Sequence, residues 1–416
     1  MFPTAPLTAV LLLIVSATAN PLVIRDSPVS LPFVRRFNAI DGRDLVRKDQ
    51  ARARELASFS QTKRSGSPGN VGISNTGVSY EANVGIGVPP TLYNMLVDTG
   101  SANTWIGALK PYVPTGSSVP SSDSVCVTYR SGTFCGKEVL ETVTLSPTLV
   151  VYNQSIGIAP APSSGGFRGF DGVLGLGPVD LTIGTLSPDS TLAVPTVTDN
   201  LFLQGTIPAD LLSLYFEPAT PGASPAKSGA LTFGGTDSTK YTDPMITVPI
   251  TTTPPAKRYW GIDGTIVYGA PPPTVSPTIL TSTAGILDSG TTLVLLATDA
   301  FARYKSQTGA VLDSTTGLLT ITAAQYANLK SLYFVIGGRP FEFTANAQIW
   351  PRSLNSLIGG ATTSIYLVIN DVGTSTGSGL DFVNGYTFLE RFYTAYDTTN
   401  RRIGIATTPF TTATTN

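Results

Sequence analysis

Met95-Leu96-Val97-Asp98-Thr99-Gly100-Ser101 has a counterpart in Gly285-Ile286-Leu287-Asp288-Ser289-Gly290-Thr291. Each stretch runs through apolar residues into Asp, then Thr or Ser, Gly, and Ser or Thr. The apolar run reads as a buried strand. The Asp-Thr-Gly or Asp-Ser-Gly that ends it reads as a sharp loop. Such a strand delivers a carboxylate into a turn, the glycine lets other backbone approach it, and the hydroxyls can hydrogen-bond it. One copy is commonplace, since Asp favours turns after core strands. Two copies, 288 − 98 = 190 residues apart, imply a chain built twice on one plan.

The composition narrows the chemistry. With 42% hydrophobic and 13% charged residues, the 416-residue chain can bury a large core. Its 41 Gly and 32 Pro, among many Thr and Ser, predict a mainly β fold rich in turns. A net charge of −1 offers no case for nucleic acid. The absence of histidine excludes His-based triads and His-ligated metals, and two cysteines cannot build a structural zinc site. No metal and no cofactor are expected. Paired carboxylates remain as the hydrolytic machinery.

The two motifs resemble the active-site motifs of pepsin-like aspartic proteases, and the resemblance runs through nearly the whole chain after about residue 65. Gly177-Pro178-Val179-Asp180-Leu181-Thr182 and Thr387-Phe388-Leu389-Glu390-Arg391-Phe392-Tyr393 are closer still to the fungal, basidiomycete branch. The resemblance implies a bilobal, mainly β acid-protease fold. Its two pseudo-twofold-related lobes would be residues 65–245, with a flap, and 246–416, with the active site between them. It also implies an endopeptidase acting on polypeptides, preferably between bulky apolar residues, at acid pH and as a monomer.

Asp98 and Asp288 would share one proton and activate a water, with neither metal nor covalent intermediate. By the same resemblance, Thr99 and Ser289 lock the two loops together, Ser101 and Thr291 hold the outer carboxylate oxygens, and Gly100 and Gly290 make the turns. Tyr129 would be the flap tyrosine that meets substrate, supported by Trp105. Phe170 to Gly177 and Phe382 to Gly385 would cross behind the two loops. Two residues depart from the pattern: Arg130, where a glycine is usual in the flap, and Asn384, where an apolar residue is usual. The competing reading is an inactive binding protein on this fold. Such relatives have typically lost an aspartate or disturbed a motif, and both motifs are intact here.

The first 64 residues have their own character. Leu7 to Val15 is a short apolar run before Ala17-Thr18-Ala19, so residues 1–19 are expected to be a secretory signal, too short for a membrane anchor. Residues 20–64 hold ten Lys or Arg against five Asp or Glu, which leaves 16 basic and 22 acidic residues in the remainder. A leader of +5 on a body of −6 reads as an inhibitory propeptide. Arg43 to Phe59 within it predicts a helix, and Lys63-Arg64, followed by a Gly/Ser spacer, offers a processing site. Secretion makes Asn153, in Asn153-Gln154-Ser155, a glycosylation candidate.

The two cysteines of a secreted chain are expected to be oxidised to each other. If the flap hairpin turns at Arg130-Ser131, Cys126 faces Cys135 in a non-hydrogen-bonded pair, with Cα atoms about 4.5 Å apart. A three-residue turn with Gly132 as a bulge would instead offset them by one.

Overall fold

The computed structural model describes residues 28–37, 41–58, 78–129, 132–160, 169–218 and 229–416. The expected signal 1–19, the dibasic pair, the spacer behind it and Arg130 lie outside the described residues. Among the described residues, no helix is long and apolar enough to cross a membrane.

Strands dominate. Thr91–Asp98 alternates, with Tyr93, Met95 and Val97 turned into the core. Thr278–Leu287 loses its alternation at the end, where Ala284 to Leu287 are all buried. That end is a central strand, paired with Gly261–Tyr268 along one edge and Phe382–Asn384 along the other, and its side chains are buried on both faces.

The predicted plan repeats. The strand carrying Asp98 runs parallel to Gly172–Gly175, with Asp98 opposite Gly175. The strand carrying Asp288 runs parallel to Phe382–Asn384, with Leu287 opposite Asn384. Around the second copy lies a seven-stranded sheet. The first copy belongs to a 14-stranded sheet whose far end is shared by both halves. There Phe392–Asp397 and Arg402–Thr407, from the end of the chain, join Leu211–Phe216 and Ile246–Pro249.

The basic leader is woven into this sheet rather than laid on it. Residues 29–33 of the strand Val29–Phe37 pair with Gly229–Phe233, and residues 34–37 pair with Val78–Glu81. The helix Gly42–Ser58 follows, close to the predicted Arg43 to Phe59. Pro114 to Ser124, rich in Ser, Pro and Gly, reads as a polar loop by composition. Its latter part belongs to the strand Val119–Tyr129, whose pairing slips between Pro120 and Ser124. Ser, Pro and Asp there mask a strand that neighbouring main chain holds in place.

Candidate active site

The two Asp loops meet head to head. Thr99 N–H donates to Ser289 Oγ at 3.0 Å, and Ser289 N–H donates to Thr99 Oγ1 at 2.9 Å. Each hydroxyl then reaches across to the opposite strand: Ser289 Oγ donates to Val97 O at 2.9 Å, and Thr99 Oγ1 to Leu287 O at 3.4 Å. These bonds are buried, so breaking one would strand polar groups away from water. They fix the loops against each other with near-twofold symmetry.

Asp98 and Asp288 are both 0% exposed. Each is held by its own loop. Gly100 N–H and Ser101 Oγ bond the Asp98 oxygens at 2.9 and 2.6 Å. Gly290 N–H and Thr291 Oγ1 bond those of Asp288 at 3.1 and 2.5 Å. The glycines are required for approach rather than for φ. A Cβ on Gly100 would lie 2.5 Å from Asp288 Oδ1, and one on Gly290 would lie 2.7 Å from Asp98 Oδ1. The expected dyad and its six supporting residues therefore come together.

A third charged group joins them. Arg52, on the leader helix, donates Nε to Asp288 Oδ2 at 2.5 Å and Nη2 to Asp98 Oδ1 at 2.5 Å and to Asp288 Oδ1 at 2.8 Å. Burial alone would push the Asp288 carboxyl up, but the guanidinium and the loop donors hold it below its ordinary value. One turn earlier, the buried Asp49 accepts Leu293 N–H at 2.7 Å and Thr292 N–H at 3.1 Å, the two amides just after Thr291. Burial pushes Asp49 up to about 7 despite those two bonds. The surplus of leader cations was legible in the sequence. Which of them reaches the carboxylates was not, because this helix carries five: Arg43, Arg47, Lys48, Arg52 and Arg54.

The hairpin formed by Val119–Tyr129 and Gly132–Ser146 has the two-residue register. Tyr129 pairs with Gly132 and Cys126 with Cys135. The cysteines are bonded, with Cα atoms 4.2 Å apart. Cys126 N–H turns away to Thr185 O at 2.8 Å, as a non-hydrogen-bonded pair requires. The inward residues, Val125 and Phe134, pack with Trp105, which stacks on Phe134 at 4.4 Å and 7°. Trp105 thus supports the hairpin through its returning strand, while the Tyr129 side chain lies outside the described residues. Asn153 is exposed, at φ 53°, where the pairing of the strand Leu149–Ile158 with Gly132–Ser146 slips.

Two facing Asp loops, each ending a buried strand and locked to the other by hydroxyls, define an aspartic protease. Residues 79–408 match the family model described as eukaryotic aspartyl protease, and the chain belongs to that family and is an aspartic endopeptidase. It is 60% identical to polyporopepsin of Irpex lacteus over 348 residues, 84% of this chain and 99% of that one. It is 26% identical to gastricsin of Cavia porcellus over 346 residues, 79% of this chain and 80% of that one. The crystal structure of the aspartic proteinase from Irpex lacteus superposes with a TM-score of 0.79 at 53% identity, covering 94% of this chain and 100% of that one. The expected likeness to the fungal branch is thereby found.

Proposed function

We propose that the chain is the secreted zymogen of an acid endopeptidase, with residues 1–19 as signal, 20–64 as inhibitory leader, and 65–245 and 246–416 as the two catalytic lobes. The observation that carries this reading is the Arg52 guanidinium bridging Asp98 and Asp288. A cation on these oxygens stands where the shared proton and the attacking water of the active enzyme would be. The leader thereby keeps the carboxylates charged and occupied.

With the leader gone, two carboxylates in one buried site cannot both ionise readily, so they hold one proton between them. The ionised member takes a proton from water, and the protonated member donates to the scissile carbonyl oxygen. The water oxygen bonds to carbon, and the resulting diol collapses as a proton passes to the leaving nitrogen and the C–N bond breaks. The hydroxyls of Ser101 and Thr291 aim the carboxylates. Tyr129, on the hairpin, would close over a polypeptide substrate with bulky apolar residues beside the cut. Secretion also fits the Cys126–Cys135 bond and a glycan on Asn153, and the enzyme would act as a monomer.

Replacing Asp98 or Asp288 by Asn tests the dyad. Each variant is expected to be secreted and folded, with acid peptide hydrolysis lowered by roughly 10³-fold or more. Near-normal turnover in either would sink the shared-proton mechanism. An inactive binding protein would show no statine-sensitive hydrolysis in the parent chain.

A further inference from the structure

Two glutamates, three residues apart on one strand, have opposite surroundings. Glu138 and Glu141 lie on Gly132–Ser146, the returning strand of the hairpin, and they are 3% and 0% exposed. Among the described residues no cation ion-pairs with either. The neighbouring Lys137 reaches Ser124 Oγ instead, at 3.3 Å.

Glu141 is wrapped in donors. The stretch that leads into the hairpin's first strand supplies four hydroxyls. Tyr112 Oη donates at 2.8 Å, Ser118 Oγ at 2.6 Å and Thr115 Oγ1 at 3.2 Å, and Ser117 Oγ donates as well. Thr142 N–H adds a fifth bond at 2.8 Å. Donors converging on an acceptor favour the ionised carboxylate. Glu138 has a single donor, Ser155 Oγ at 2.5 Å, from the adjoining strand Leu149–Ile158. Its Oε2 is buried and has no partner. A carboxyl so placed is costly to ionise. The titratable groups that face the two are Asp123, on Val119–Tyr129, toward Glu138, and Tyr112 toward Glu141.

We propose that Glu141 and Glu138 are opposed latches at the base of this hairpin, one needing its charge and the other its proton, so that the hairpin is held firmly only in a window of acid pH. Burial would push Glu141 up, but Ser117, Ser118, Thr142 N–H and Tyr112 hold it below its ordinary value. Its latch is whole above the ordinary glutamate value of about 4.3 and is lost as pH falls through the lowered one. Burial pushes Glu138 up to about 7 against the Ser155 bond, and Asp123 adds to the push. Its latch is whole below about pH 4.3 and is lost as pH rises through about 7. The two are whole together near pH 4, and the hold weakens toward neutrality. That a firm hairpin matters to substrate rests on the proposed function; the hold itself does not.

The test is amide exchange, corrected for its intrinsic pH dependence, in residues 112–118 and 134–142 of the full chain with Asp288→Asn. The readout needs no turnover, so failure of the latches leaves the dyad standing, and the dyad is judged separately by hydrolysis. Glu138→Gln cannot ionise. At pH 8 it is expected to exchange about tenfold or more slowly than the parent in 134–142, and at pH 4 to match it. Glu141→Gln cannot carry charge. At pH 6 it is expected to exchange about tenfold or more faster than the parent in 112–118. Parent-like exchange in Glu138→Gln at pH 8, or in Glu141→Gln at pH 6, overturns the proposal. An equal difference between Glu138→Gln and the parent at pH 4 and pH 8 also overturns it, since no proton would be involved. If Glu141→Gln does not fold, Tyr112→Phe removes one donor and should speed exchange in 112–118 by a smaller factor, and no change there overturns the latch.

Discussion

Arg52 and Asp288 meet through two parallel hydrogen bonds, Nε to Oδ2 at 2.5 Å and Nη2 to Oδ1 at 2.8 Å, in the bidentate geometry that guanidinium and carboxylate favour. The same Nη2 reaches Asp98. The loops that carry the dyad are complete while the leader is docked. In the proposed zymogen the block would thus be occupancy and charge rather than distortion.

Arg52→Ala should weaken this block without touching the dyad's own hydrogen bonds. In the full chain, conversion at a fixed mildly acid pH is expected to speed up by about tenfold or more, because a buried charge pair is removed on the leader side. Arg52→Lys keeps the charge but loses the fork, so it should fall between. Gel densitometry of the two chain lengths over time reads the effect. A conversion rate equal to the parent's would show that Arg52 does not hold the leader.

Two protons act on the leader in opposite senses. Asp288 is held below its ordinary value by Arg52, so that contact is present above about pH 4 and lost as pH falls through the lowered value. Asp49 is pushed up to about 7 by burial, so its docking takes up a proton and is favoured in acid. Around it stand Asp288, Arg52, Lys48 and Tyr386. Docking should therefore be tightest between these limits. Asp49→Asn mimics the protonated form and should tighten docking at pH 8 while leaving the acid limb in place. Amide exchange in residues 42–58 across pH 3–9 checks this, and equal protection in parent and variant at pH 8 would refute it.

Much of this was legible because the signals were local. An apolar run ending in Asp, a hydroxyl residue and Gly specifies strand, turn and carboxylate within seven residues, and its repetition gave the two-part plan. A count from the hairpin tip left two registers open, and the one that sets Cys126 against Cys135 is the one observed. Long-range partnerships left no such trace. Nothing in Val29–Phe37 says that it splits its pairing between Gly229–Phe233 and Val78–Glu81. Arg35 reads as a leader cation, yet it is 3% exposed and ion-paired with Glu390, 355 residues away. Asp49 looks like an exposed helix acid until the main chain after Thr291 is packed onto it.

The Cys126–Cys135 bond closes a short loop at the base of the hairpin tip. The chain-entropy model assigns such a loop roughly 2.5–3 kcal/mol, acting on the open hairpin. Both cysteines lie on the exposed face, opposite Phe134 and Trp105. Their joint replacement by Ser should therefore leave the packed face intact while loosening the tip. Limited proteolysis should cut between residues 126 and 135 faster in the variant, with KM raised more than kcat is lowered. Unchanged proteolysis would make the bond dispensable to the hairpin.

Asn384 supplies the last prediction. Its backbone oxygen accepts the Asp288 N–H at 3.1 Å, so its main chain helps to seat the second catalytic loop. Its side chain is 0% exposed, and neither Oδ1 nor Nδ2 has a hydrogen-bond partner. It lies between Leu287 on one neighbouring strand and Val294 on the other, in a region otherwise filled by apolar side chains. A buried amide without partners costs on the order of 1–3 kcal/mol, whereas an apolar side chain of the same branching gains from burial. Leucine has that branching and makes the same backbone bond. Extra volume offsets part of the gain, because cores resist overpacking. Asn384→Leu should raise the denaturant midpoint by an amount equivalent to about 1 kcal/mol, with kcat close to the parent's because the Asp288 N–H bond is kept. A lowered midpoint would mean that the amide is satisfied in solution by an internal water and belongs to the support of the Asp288 loop. A raised midpoint with lost activity would mean that the polar side chain is retained for catalysis at the expense of stability.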